Sequence, residues 1–272
     1  MEKLENARDK MKVILSRKGF DSQYGGIPSP IMPDGTLLSM PIPEKSSGVT
    51  YKSLFWKKYT YEEILRNLGY SQNIWECHLD PDIYITKHNQ LNRKAIFGQC
   101  DSAAGHLIKQ KVCKGDIFLF FGTFRETEFT QDGRLCFKKG TLEKHIIYGY
   151  LQIGDVEKSN FRQYPWHPHS NINKYSNNNR MYLAATNFFN TTHLGYGTFR
   201  YTSELVLTKN GESKSKWVLP NILKDKKITY HPNPYREGYF QSTFRGQEFV
   251  INIDEDKEVN DVINWVKDKI EV

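Results

Sequence analysis

Two long apolar runs constrain this chain more than any other feature: KGDIFLFFGTF, residues 114–124, and HIIYGYLQIGDV, residues 145–156. The first sets a Lys-Gly-Asp turn ahead of an apolar stretch too continuous for a strand with one wet face, so it reads as an inner strand. The second has the same character and reads as its partner across the loop QDGRLCFKKG. MKVILS, residues 11–16, is a further inner strand, and MYLAA, SELVLT and EFVINI are strand candidates. Thr60 with Glu63 three positions on predicts a capped helix over TYEEILRNLGY, stopped by Gly69. Asp101 or Ser102 is expected to cap a second helix, SAAGHLIKQKV, with His106 in its second turn. EVNDVINWVKDKI closes the chain as an amphipathic helix with Val259, Val262, Ile263 and Val266 on one face.

Strands and helices do not alternate, so the expected class is α+β. The expected fold is a single domain whose sheet is mixed or antiparallel, open or curled into a barrel, with peripheral helices. That domain spans residues 11–272, and the charged MEKLENARDK, residues 1–10, reads as an N-terminal extension. The asparagine-rich SNINKYSNNNR reads as a loop insertion.

The length of 272 residues is enough to bury a sizeable core. Sixteen Phe, sixteen Tyr and five Trp fill that core and also offer flat faces on which a nucleobase can stack. Lys and Arg number 38 against 31 Asp and Glu, and the net +7 favours an anionic partner, nucleic acid or a phosphorylated metabolite. Cys77, Cys100, Cys113 and Cys136 form no CxxC pair or zinc spacing, and no signal peptide precedes them, so they read as reduced cytoplasmic thiols. No apolar run approaches the roughly 18 residues of a bilayer span. The expectation is a soluble protein without a membrane partner.

Chemistry is sought in three separated segments. SRKGFDSQYGGIPSPIMPDGTLLSMPIP, residues 16–43, combines glycines open to unusual backbone conformations with prolines that stiffen its second half. Such a loop can hold Arg17, Lys18, Asp21, Ser22, Ser29 and Asp34 in fixed positions for a ligand, or it can wrap a sheet edge. YPWHPHSN, residues 164–171, sets His167 and His169 two apart, a spacing that in extended chain points both rings to one side. Without HExxH, a third histidine or an acidic partner at recognisable spacing, no metal is assigned to them. YHPNPYREGYFQSTFRGQEFVI, residues 230–251, gathers Gln241, Arg245, Gln247 and Glu248 around Gly246 just before a strand. A carboxylate there can steady a developing cation and an arginine can hold phosphate, though an Arg-Glu surface pair would look the same. His106 and Asp116 are weaker candidates, the second being ordinary turn chemistry.

The loop motif of residues 16–43, FGQCDSAAGHLIKQKVCKGDIFLFFGTF, HIIYGYLQIGDV, the HPH pair and FRGQEFV occur in an order that resembles the third type of nucleotide-modification-associated domain. The likeness runs from about Met11 to the closing helix. It implies a setting in base-modification or defence systems of phages and bacteria, with partner proteins from the same operon, more than it implies a reaction. It ranks Arg17, Asp21, Ser22, Gly25, Gly26, Ser29 and Asp34 in the loop motif, His106 in the second, His167 and His169, and Gln247 and Glu248. The order of an early Arg and a late Glu is also similar to ADP-ribosyltransferases, including those that modify DNA. In that version NAD is the cosubstrate, Arg17 holds a phosphate, Tyr230 stacks nicotinamide and Glu248 stabilises the ribose cation, with His169 as a further catalytic candidate. The alternative is a non-catalytic reader, because the two apolar runs look like the strand pair of PUA-like barrels. Either way the opening loop, the HPH segment and the RGQEF segment are expected to converge on one pocket.

Overall fold

The computed structural model describes residues 11–84, 94–175, 177–243 and 246–271. The extension at residues 1–10 and the site candidate Arg245 lie outside the described residues. Among the described residues nine strands build the main sheet: β1 (Met11–Arg17), β2 (Ser29–Ile31), β3 (Ile96–Gln99), β4 (Ile117–Phe129), β5 (Leu135–Phe137), β6 (Lys144–Glu157), β7 (Arg180–Ala184), β8 (Tyr196–Thr198) and β9 (Glu248–Ile253). Their order is β9-β1-β4-β6-β7-β3, with β8 added to β6 and with β2 and β5 added to β4. β1 and β2 run parallel to β4 and the other pairs are antiparallel, so the sheet is mixed.

The two long apolar runs are β4 and β6, and they pair with each other through Ile117↔Gln152 to Phe124↔Lys144. Phe118, Leu119, Phe120, Ile147 and Leu151 are fully buried, as strands covered on both faces must be. The ladder stays open: β9 and β3 are its opposite edges, and the closed barrel of a PUA-like reader is not formed. The sheet curls nonetheless, because Gln99 at the end of β3 donates from Nε2 to Oε1 of Glu248 at the start of β9, 2.6 Å away. Its interior is filled by rings: Phe97 meets Phe118 and Phe120 edge-on at 4.9 and 5.3 Å and stacks against Tyr182.

Among the described residues three α-helices lie outside the sheet, α1 (Tyr61–Asn67), α2 (Asp101–Lys109) and α3 (Asp256–Ile270). Among the described residues no helix is long and apolar enough to cross a membrane. α1 carries the reciprocal bonds of Thr60 and Glu63, and α3 buries Val262 and Val266 against the sheet. α2 begins differently from expectation. Cys100 occupies its N-cap without a side-chain capping bond, and Asp101 takes φ +52° as the chain turns off β3. SELVLT is not a strand either: Ser203–Leu205 is a 3-10 turn, and Thr208 Oγ1 accepts the His145 amide where a ladder carbonyl would have done so.

The proline-rich loop does two jobs. Ser29–Ile31 joins β4 as a parallel edge strand, and Phe20, Met32, Leu38 and Met40 build a second core with Tyr51, Tyr61 and Leu65. Gly25, at φ +86°, leaves room for the fully buried Phe20 ring that any side chain there would overlap. The half before Gly26 faces a cleft.

Candidate functional site

The cleft forms where β1 ends, β9 begins and β3 ends. Antiparallel pairing sets Ser16 opposite Glu248, and the Arg17 amide donates to the Gln247 carbonyl at 2.9 Å. Arg17, Lys18, Gln99, Gln247 and Glu248 are thereby gathered at one mouth by backbone register. A cavity of about 130 Å³ is lined by Arg17, Lys18, Asp21, His78, Asp80, Gln99, His169 and Gln247, among others. A second of about 470 Å³ adjoins it through Tyr24, Gln99 and Gln247, and is walled by Cys100, His106, Tyr230 and Glu248.

On the first wall, Glu248 is 1% exposed. Its Oε1 accepts from Lys18 Nζ at 2.7 Å and from Gln99 Nε2. Its Oε2 has no hydrogen-bond partner among the described residues. Lys18 also sits 4.7 Å from the Phe97 ring centroid, which holds its ammonium against the rim of the aromatic interior. The second cavity carries a surface for flat ligands: Tyr230 is 46% exposed and its ring lies 4.4 Å from that of His106. Burial pushes the His106 imidazole down, against the pull of Glu248. Its Nε2 meets Thr229 Oγ1 at 3.1 Å, which also accepts the Val250 amide. Burial, with Asp101 beside it, pushes the Cys100 thiol up to about 12, so it is no thiolate nucleophile at neutral pH.

The other wall is a group of three histidines around one carboxylate. Asp80 accepts the Gly98 amide on both oxygens, at 3.0 and 3.2 Å. His78 Nε2 lies 3.4 Å and His169 Nε2 3.5 Å from Asp80 Oδ2, while His167 Nε2 lies 3.6 Å from Oδ1. The hydrogen bonds assign the rings. Asn179 donates to the His169 carbonyl, so its Oδ1 faces His169 Nδ1, which must carry the proton. His169 Nε2 then presents a lone pair toward Asp80. His167 Nδ1 accepts the His169 amide, so its Nε2 carries the proton and points toward Asp80 Oδ1 from beyond hydrogen-bond distance. His78 Nδ1 bonds Glu44, itself held by Lys174 and Tyr175, and the Tyr175 ring stacks on His169 at 4.3 Å.

Burial works against every charge here, and the bonds outweigh it at Asp80, His78 and Glu44 but not at His169. Asp80 is held far below the usual carboxylate range by its histidines despite burial. His78 is lifted to about 9 by Asp80 and Glu44 against burial, and burial lowers His169 to about 4. Glu44, also opposed by burial, is drawn down to about 2 by His78 and Lys174. Gly98 makes the packing possible, since a Cβ on it would overlap both His169 and His167.

Of the residues singled out from sequence, Arg17, Asp21, His169 and Gln247 line the first cavity and His106, Tyr230, Gln247 and Glu248 the second. Asp21 supports the wall by accepting the Gln23 and Tyr24 amides. His167 is buried behind the wall. The others are placed elsewhere. Ser29 Oγ accepts the buried Met40 amide, Asp34 binds the Thr36 amide and pairs with Lys57, Ser22 is exposed on a turn, and Gly25 and Gly26 shape the loop. Asp116 ties the Lys12 and Cys113 amides in the core. Sequence reasoning missed Glu44, His78, Asp80, Gln99, Tyr175 and Asn179. The alternation His-Leu-Asp at 78–80, matching His-Pro-His at 167–169, was the available signal.

No curated protein and no solved structure matches the chain. Residues 12–252 match the family model of nucleotide modification associated domain 3, nearly the full extent of the described fold, and the chain belongs to that family.

Proposed function

We propose that the cleft is the active site of an enzyme that modifies a nucleotide, or a base presented by nucleic acid, through chemistry at a glycosidic bond. The observation that carries this reading is Glu248. Its buried carboxylate has one oxygen committed to Lys18 and Gln99 and the other without a donor among the described residues. A buried acceptor without a donor costs about 1–3 kcal/mol, which a ligand hydroxyl would return. A ribose hydroxyl supplies such a donor, and the same carboxylate then faces the positive charge that develops when the glycosidic bond breaks.

The surrounding groups suit the rest of that ligand. Arg17 supplies a cation that matches phosphate, and Tyr230 with His106 supplies a stacking face for a planar ring. In the most specific form the ligand is NAD and the reaction ADP-ribosyl transfer to a base, with Arg17 on the pyrophosphate and Tyr230 on nicotinamide. The net charge of +7 is consistent with a nucleic-acid acceptor.

The test incubates the purified chain with NAD, free nucleotides and single- and double-stranded DNA and RNA, and tracks every component by mass spectrometry. A new adduct or a released base is expected, with Glu248→Gln lowering turnover about 100- to 1000-fold. If Glu248→Gln and Arg17→Ala both retain full activity, the NAD form falls. Unchanged substrates beside tight, salt-sensitive binding would replace an enzyme with a reader.

A further inference from the structure

We propose that His78, Asp80 and His169 bind a divalent first-row transition ion of the Zn²⁺ or Fe²⁺ type, through two imidazole Nε2 atoms and carboxylate Oδ2, with the remaining coordination positions open to the cleft. One ligand atom from each residue lies within 4.8 Å of the others. The two histidine-to-Oδ2 separations, 3.4 and 3.5 Å, are close to the edge of a tetrahedron with metal–ligand bonds of about 2.0–2.1 Å, roughly 3.4 Å. They are long for direct hydrogen bonds.

Ring orientation makes the stronger case. A metal-binding histidine gives its other N–H to an acceptor, which fixes the tautomer and aims the lone pair. Both histidines do this, His78 through Nδ1 to Glu44 and His169 through Nδ1 to Asn179. Both then turn Nε2 toward the same carboxylate oxygen, His169 with its lone pair and His78 in the position of a ligand once an ion displaces its Nε2 proton. The Gly98 amide holds both oxygens of Asp80 from behind, so the carboxylate is aimed before any ion arrives. Two imidazoles and one carboxylate with open positions match reactive Zn²⁺ and non-haem Fe²⁺ sites, whereas Mg²⁺ and Ca²⁺ prefer all-oxygen sets. The site opens into the cavity that also holds Arg17, Lys18 and Gln99.

This inference stands apart from the glycosidic reading: a chain that binds the ion and modifies nothing keeps it, and an active chain that binds no ion loses it. The test uses the full chain, free of any affinity tag and stripped with a chelator, titrated with Zn²⁺ by calorimetry and with Co²⁺ by visible absorption. One ion per chain is expected, with the intense d–d bands of a low-coordinate Co²⁺ site. Asp80→Asn and His169→Gln should abolish the bands. Glu44→Gln, outside the ligand set, should weaken binding about 10-fold while circular dichroism stays that of the wild type. His145→Gln should bind as the parent does. Absence of stoichiometric binding by the folded wild-type chain overturns the proposal, and so does undiminished binding in folded His169→Gln.

Discussion

His169 and His145 are both almost excluded from solvent, at 3% and 7% exposure, yet their surroundings differ in kind. His145 packs between Phe121 and Trp217, and its Nδ1 accepts the Trp217 indole N–H at 3.1 Å. Nearby His231 gives Nδ1–H to the Thr229 carbonyl and accepts the Thr243 amide on Nε2. These two are neutral rings set among aromatic walls. His169 instead turns a lone pair toward a carboxylate, beside two further histidines and an open cavity. Burial of a histidine is therefore no guide to its role. What matters is whether the second ring nitrogen has a partner that completes the bonding or one that calls for a positive charge.

The largest test of that contrast is Asp80→Asn in the metal-free protein. Removing the carboxylate leaves the His78 charge with Glu44 as its remaining acidic partner and should cost about 3–5 kcal/mol in denaturant unfolding. A loss below about 1 kcal/mol, the scale of a surface pair, would mean that the three rings do not depend on the carboxylate.

Acid comes next, and it should act on the aromatic group. Burial, reinforced by Lys214 and Arg17, lowers His145 from 6.5 to about 3. The unfolded chain therefore takes up this proton first, so the stability it contributes is present above pH 6.5 and lost as pH falls toward 3. The wild type should lose a few kcal/mol more than His145→Gln over that window. Parallel stability curves for the two proteins would remove His145 as the cause.

Gly98→Ala sharpens the comparison from the side of packing. The added methyl overlaps His169 and His167, and overpacking of this kind should cost about 1–3 kcal/mol and shift the His169 ring resonances by NMR. Unshifted resonances would mean that the wall is looser than the contact implies. Trp217→Phe should have the smallest effect, about 1 kcal/mol, by leaving His145 Nδ1 without its donor while the ring packing is largely kept. A stabilised variant would show that the indole bond is not needed there.

Much of the fold was legible because local chemistry carries it. Continuous apolar runs bounded by turn residues favour buried strands, so β4, β6, β1 and β9 could be read directly, and the Thr60–Glu63 box marked α1. The reading failed where a distant group supplied the bond: SELVLT has strand alternation, but Thr208 takes the His145 amide with its side chain. The site divides in the same way. Arg17 and Glu248 could be found because each stands at the end of a strand, where register delivers side chains to the sheet mouth. His78 and Asp80 could not, since the segment that bears them reaches His169 only through the packing of Gly98 and Asn179.

The amino-acid sequence alone determined which segments must be buried, where the main strands and the first helix begin, and that polar groups flank the apolar runs at particular places. The tertiary structure decided which of those groups meet: that a sheet with open edges curls until Gln99 touches Glu248, and that three histidines share one carboxylate. The reason is range. Hydrophobic periodicity and capping act over a few residues, whereas a contact across 149 positions exists only after the whole sheet has formed.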